Sequence, residues 1–226
     1  LSLFAGADPT VHQAVGEAST SYLRCPEALT SIRQFCPEGR LLVMYRNPVD
    51  LAYSWHAQKV VEGQEDETDF RKAWSLEPMR RRGDSIPAGL RVRDALFYSH
   101  VASVGSQIEY LLSIFSEEQV MLIRSDEMRS DARGAYERIV RFLDLEPDPR
   151  RSFEVVRQGR EVRFPWIWRF MNRRGTAAEH VARVLKRVMG RYAKGLASHL
   201  RDSLLRERES LDPELRRELT RYFEPE

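Results

Sequence analysis

Arg46 and Ser54, eight residues apart in the run LLVMYRNPVDLAYS (41–54), are residue types that together can hold an anion. An arginine presents a planar fork of donors matched to two phosphate oxygens, and a serine hydroxyl adds a further donor. The pair suits a phosphate monoester. A charge-assisted contact is worth about 1.5 to 3 kcal/mol against about 1 kcal/mol for a neutral hydrogen bond, so Arg46 is expected to dominate. The same arginine could instead pair with Asp50 at i+4, worth only about 0.3 to 0.5 kcal/mol, and spacing by itself leaves both uses open. His12 and His56 could act as bases, with a solvated or structural role as the ordinary alternative.

These residues need elements to position them. Leu41 to Tyr45 is a short continuous apolar segment, which predicts a strand buried on both faces. Asn47 is a good N-cap, Pro48 fits a first helical position, and Asp50 complements the helix dipole three residues past the cap. On a period of 3.6 residues Asn47, Leu51 and Ser54 share a stripe, turning the serine hydroxyl back toward the helix start. Upstream, 13–17 (QAVGE) reads as a short strand. Pro26 then opens a helix with Leu29, Ile32, Phe35 and Cys36 at helical spacing, ended by Pro37-Glu38-Gly39. Alternating strands and helices predict an α/β fold with a parallel sheet and helices on both faces. Ligands of such sheets bind beyond the carboxyl ends of the strands, where helix N-termini expose unpaired N–H groups. Further on, the apolar spacing predicts one amphipathic helix over 94–115, a second buried strand over 119–124 and a helix over 132–143, while 62–68 and 80–89 read as polar loops. Tyr98 is expected to pack in the core.

The chain has 226 residues, 42% hydrophobic and 31% charged, which suits one soluble globular domain with an α/β core over 10–145 and a basic, mainly helical part over 146–226. The formal net charge is only +2, yet 32 arginines stand against four lysines, a ratio that compositional bias explains most simply. Between Arg150 and Arg201, 12 Arg and two Lys face three Glu, a balance of +11. That segment could steer an anion or contact nucleic acid, but interleaved aromatics and a recognition motif are lacking, and Trp166, Trp168 and Phe170 read as packing residues. A helix is expected over 181–191 and a charged one after Asp212-Pro213. Cys25 and Cys36 show no metal-ligand spacing and no disulfide framework, which fits a reducing, cytoplasmic compartment without a metal. No apolar run approaches 18 residues, so no membrane insertion is expected.

The segment Arg46-Asn47-Pro48-Val49-Asp50-Leu51-Ala52-Tyr53-Ser54 resembles the phosphate-recognition signature of the sulfotransferases that use phosphoadenosine phosphosulfate (PAPS) as donor. In that family a strand-ending Arg and a Ser eight residues on bind the nucleotide's 3′-phosphate. Residues 16–23 (GEASTSYL), 119–128 (QVMLIRSDEM) and 138–143 (RIVRFL) are similar to family segments in the same order, so the resemblance covers roughly residues 10–145. It implies a three-layer, P-loop NTPase-like parallel sheet flanked by helices and transfer of a sulfuryl group from PAPS to a hydroxyl or amine, on a carbohydrate or small molecule. It makes Arg46 and Ser54 cofactor-binding residues, adds Arg163 as a further 3′-phosphate contact, and leaves Glu17 as a candidate base or orienting group. The family's glycine-containing phosphosulfate loop and its strand have no counterpart here, so the resemblance also implies a gene product extending upstream of Leu1. The position after Glu17, often lysine in relatives, is Ala18. A P-loop kinase relative and a non-catalytic nucleic-acid-binding or scaffold protein are the rival readings.

Overall fold

Five apolar residues, Leu41–Tyr45, form strand β1, which pairs in parallel with β2 (Val120–Arg124) in the register Leu41 to Val120 through Tyr45 to Arg124. The computed structural model describes residues 5–8, 10–147, 149, 152–153, 160–162, 205–207 and 209–226. The chain divides into two compact units, one comprising Leu1–Asn47 with Ser103–Val155 and Glu226, the other Pro48–Ala102 with Val156–Pro225.

In the first unit, α1 (Pro26–Phe35) opens on its proline, and α6 (Val104–Ile114) leads through a 3₁₀ turn at Glu117–Gln119 into β2. Leu29 of α1, Val43 of β1, Leu111 of α6, Phe115 and Val120 form its core. β1 is not buried on both faces as its composition predicts. Val43 is 9% exposed, whereas Leu42 and Met44 on either side are 42% and 58% exposed. Among the described residues β1 has one strand neighbour, and α1 and α6 bring their core side chains to Val43. The strand expected over 13–17 does not form: that stretch is exposed and makes no strand pairing. β2 runs directly into α7 (Ser125–Ser130), and the Ser125 hydroxyl donates to the Tyr45 carbonyl at 2.8 Å, tying the ends of the two strands together.

Helix α8 (Ala132–Phe142) starts where Asp131 accepts from the Gly134 N–H at 2.8 Å. Replacing Asp131 by alanine leaves that N–H without its cap and is expected to lower stability by about 1 kcal/mol. A urea titration reads this, and an unchanged midpoint would remove Asp131 from the capping role.

In the second unit, α2 (Pro48–Val61) begins at its proline and buries Val49, Ala52, His56 and Val60 on one stripe, while Leu51 and Ser54 stay half-buried beside it. It is followed by α3 (Phe70–Ser75), α4 (Glu77–Arg82), a 3₁₀ turn at Arg93–Leu96 and α5 (Tyr98–Ala102). The continuous helix predicted over 94–115 is therefore divided, with Phe97 and Ser103 outside helical conformation. The reason for the first break is tertiary. The carboxylate of Glu77 accepts from the Ser99 N–H at 3.0 Å and so starts a new helix there. The predicted loop over 80–89 is also partly helical, since Arg80 to Arg82 complete α4.

The last described helix, α9 (Pro213–Tyr222), follows the expected Asp212-Pro213 start; Asp212 accepts from the N–H groups of Glu214 and Leu215. Leu215, Leu219 and Phe223 join Val49, Ala52 and Phe70 in the core of this unit. β3 (Arg160–Val162) and β4 (Leu205–Glu207) pair antiparallel. Arg163, the helix expected over 181–191, and Trp166, Trp168 and Phe170 lie outside the described residues.

Candidate functional site

Arg46 is the first residue after β1, and Asn47 alone separates it from the proline that begins α2. Its side chain is half-buried and has no hydrogen-bond or ion-pair partner among the described residues. On α2, the Ser54 hydroxyl donates to the Leu51 carbonyl at 3.0 Å, a bond within its own helix that leaves the oxygen's lone pairs unused. Asp50, the residue that could have paired with Arg46, instead accepts from Arg216 of α9 at 2.6 Å. An arginine held at a strand end without a carboxylate keeps its full fork for an external anion.

Glu17 lies in the exposed stretch before α1. The Tyr22 hydroxyl donates to it, and this bond raises the tyrosine's pKa above its ordinary value. His12 is exposed and engages the Asp8 backbone. His56, by contrast, is buried on α2. Its Nε2–H donates to the Glu67 carbonyl at 2.8 Å, and its ring lies edge-on to Tyr98 with centroids 5.7 Å apart. Burial lowers its pKa below the usual 6.5; the Glu67 carbonyl, Glu65 and Glu67 oppose that shift and Arg80 adds to it.

Since the unfolded chain takes up that proton more readily, stability is complete above pH 6.5 and falls as pH drops through 6.5 toward the lower folded value. The loss is expected to reach at most about 1.4 kcal/mol per pH unit. Chemical unfolding of wild type and His56→Gln between pH 8 and pH 5 measures it. Equal pH slopes for the two proteins would show that His56 is not the group responsible.

Around His56 lies a cluster that the sequence reading did not identify. Gly63, at φ +68°, turns the chain after α2 and directs Glu65 inward. A Cβ on Gly89 would stand 2.0 Å from the Gly63 carbonyl oxygen, so the following loop can close on this turn only with glycine there. Glu65 then receives both arms of Arg80, at 2.6 Å and 2.7 Å, and the Tyr98 hydroxyl. The side chains of Glu65 and Arg80 are 0% and 2% exposed. Burial disfavours the Arg80 charge, but the bonds and charge of Glu65 outweigh it and raise its pKa; burial and Glu65 both raise that of Tyr98. The assembly is fixed and dry, suited to holding α2, α4 and α5 in place. Its one legible signal was Tyr98, because a buried tyrosine hydroxyl requires a polar partner.

Among the described residues no group of three His, Cys, Asp or Glu side chains gathers as a metal site, and no helix is long and apolar enough to cross a membrane.

No curated protein matches this chain significantly. Among solved structures it is similar to the crystal structure of a sulfotransferase from Alicyclobacillus acidocaldarius. The identity is 29% and the TM-score 0.56, over 68% of this chain and 60% of that one, so the chain spans less than two thirds of the relative's length. Residues 26–225 match the sulfotransferase domain family. The match takes in β1, Arg46, α2, β2 and α9, and the chain belongs to the sulfotransferase domain family.

Proposed function

We propose that the protein takes part in transferring a sulfuryl group from PAPS to a hydroxyl or amine of a carbohydrate or small-molecule acceptor. The observation that carries this reading is Arg46, half-buried after a parallel strand, without a partner among the described residues, in a chain of the sulfotransferase domain family. The donor, when bound, supplies the sulfuryl group, which leaves the oxygen of the 5′-phosphate for the acceptor's oxygen or nitrogen. The chain's own residues bind and orient. Arg46 offers its fork to two oxygens of the 3′-phosphate, and Ser54 can turn its hydroxyl from the Leu51 carbonyl to a third. Arg163 belongs to this reading as a further cation toward the same phosphate, and Glu17 as the carboxylate available to take the acceptor's proton or orient it. Two free cysteines support placing the protein in a reducing, cytoplasmic compartment.

The test uses the full gene product, labelled PAPS and a panel of sugar and small-alcohol acceptors. Labelled sulfate on an acceptor, with release of adenosine 3′,5′-bisphosphate, is the expected result. No transfer together with no binding of adenosine 3′,5′-bisphosphate would overturn the reading, and phosphate transfer from ATP would favour the kinase alternative.

A further inference from the structure

Trp74 and Tyr222 differ from the other described tyrosines and tryptophans of their unit in leaving their polar tips unused. Trp55 Nε1–H donates to the Ala95 carbonyl, the Tyr53 hydroxyl to the Glu209 carbonyl and the Tyr98 hydroxyl to Glu65. The Trp74 indole N–H and the Tyr222 hydroxyl have no hydrogen-bond partner among the described residues. Their rings meet with centroids 5.2 Å apart and planes at 88°, and Phe223 holds the indole from a second direction at 5.7 Å. Tyr222 is 57% exposed and Trp74 half-buried, so the pair forms a fixed aromatic corner open to solvent. Beside the rings runs a polar network. Arg71 stands one turn before Trp74 on α3 and Glu218 one turn before Tyr222 on α9, so each shares a face with its ring. Arg71 bridges the two helices: Nη1 donates to Glu218 Oε2 at 3.1 Å and Nη2 to Asp212 Oδ2 at 2.7 Å, with Glu214 3.8 Å away. The Arg71 Nε–H and Glu218 Oε1 keep no partner among the described residues.

That mixture of groups selects a ligand class. A sugar hydroxyl both donates and accepts, so it can use an N–H, a carboxylate oxygen and a phenol alike. The C–H groups on a pyranose face carry the partial positive charge that an aromatic face attracts. An anion would use the donors alone, and here one guanidinium stands against three carboxylates, a surplus of negative charge that repels it. We propose that the Trp74–Tyr222 corner, with Arg71 and Glu218, is a saccharide-binding site for chains without acidic groups. It requires neither Arg46 nor Ser54 and stands apart from the donor-phosphate reading.

The experiment is calorimetric titration of the full chain with neutral tetrasaccharides of glucose, of galactose and of N-acetylglucosamine, and with a tetrasaccharide of galacturonic acid. Binding of at least one neutral probe is expected, about tenfold tighter than the acidic one. Tyr222→Leu keeps an apolar contact for the indole but removes the ring face, and is expected to weaken binding by about tenfold. Tyr222→Phe keeps the face and loses only the hydroxyl, so a loss of no more than about fivefold is expected. Glu218→Gln, exposed and outside the aromatic packing, removes one charge and is expected to narrow the preference over the acidic probe by about threefold. No binding of any neutral probe, equal or tighter binding of the galacturonic acid probe, wild-type affinity in Tyr222→Leu, or an unchanged preference in Glu218→Gln would each overturn the proposal. Self-association on sedimentation that Tyr222→Leu abolishes would also overturn it, by assigning the corner to a second copy of the chain.

Discussion

Replacing Arg80 by methionine is expected to destabilise the protein by about 3 to 5 kcal/mol, the cost of leaving one partner of a buried ion pair uncompensated. The geometry supports the upper part of that range. Both guanidinium arms reach Glu65, at 2.6 Å and 2.7 Å, and neither side chain has appreciable contact with water. Without Arg80, the Glu65 carboxylate keeps the Tyr98 hydroxyl as its remaining side-chain partner and must either stay charged in a dry interior or take up a proton. The effect belongs to the broken pair and not to lost bonding as such. A second substitution, Glu65→Leu in the Arg80→Met background, is therefore expected to recover most of the loss, because apolar replacement of both partners is often neutral. Guanidinium unfolding of the three proteins decides the matter. A single variant within about 1 kcal/mol of wild type would mean that water or a rearranged side chain satisfies Glu65.

The second large effect falls on binding. Arg46→Ala is expected to raise the dissociation constant for adenosine 3′,5′-bisphosphate by about 10- to 150-fold, the equivalent of losing about 1.5 to 3 kcal/mol from a charge-assisted, forked contact. Arg46→Lys should recover part of this, since an ammonium restores charge without the planar fork. Ser54→Ala removes a neutral donor worth about 1 kcal/mol, and about a fivefold loss is expected. The order matters as much as the size. If Ser54→Ala costs more than Arg46→Ala, the arginine is not the principal phosphate contact. Stability should change little in Arg46→Ala, because that side chain has no described partner to lose.

These two sites differ in how they could be read. The site at Arg46 was visible because its determinants are local. An apolar pentapeptide, a proline at the first helical position and a serine two turns on specify strand, helix start and stripe from neighbours within a few residues, and β1 and α2 form at those places. The Asp212-Pro213 helix start was visible for the same reason, and α9 begins there. The Glu65 cluster was not, since Glu65, Arg80 and Tyr98 come from three segments that looked like an acidic loop, an arginine-rich loop and an amphipathic helix. The expected strand at 13–17 failed because a strand needs a partner to pair with, and that exposed stretch has none among the described strands. The predicted helix over 94–115 was divided because Glu77, 22 residues before Ser99, caps an N–H in mid-pattern, and periodicity does not register such a contact.

By itself, then, the sequence determined the features that depend on backbone preference and short-range periodicity: β1, the proline starts of α1, α2 and α9, the β2 segment, and the RNP…S stretch with its family. Tertiary structure decided which charge meets which. Asp50 had a cation four residues away in the chain and took one 166 residues away, because the packing of α9 against α2 delivers Arg216 to it. Ion pairing depends on distance and burial after folding, so the partner of Asp50, the availability of Arg46 and the pairing of Glu65 with Arg80 belong to the folded molecule.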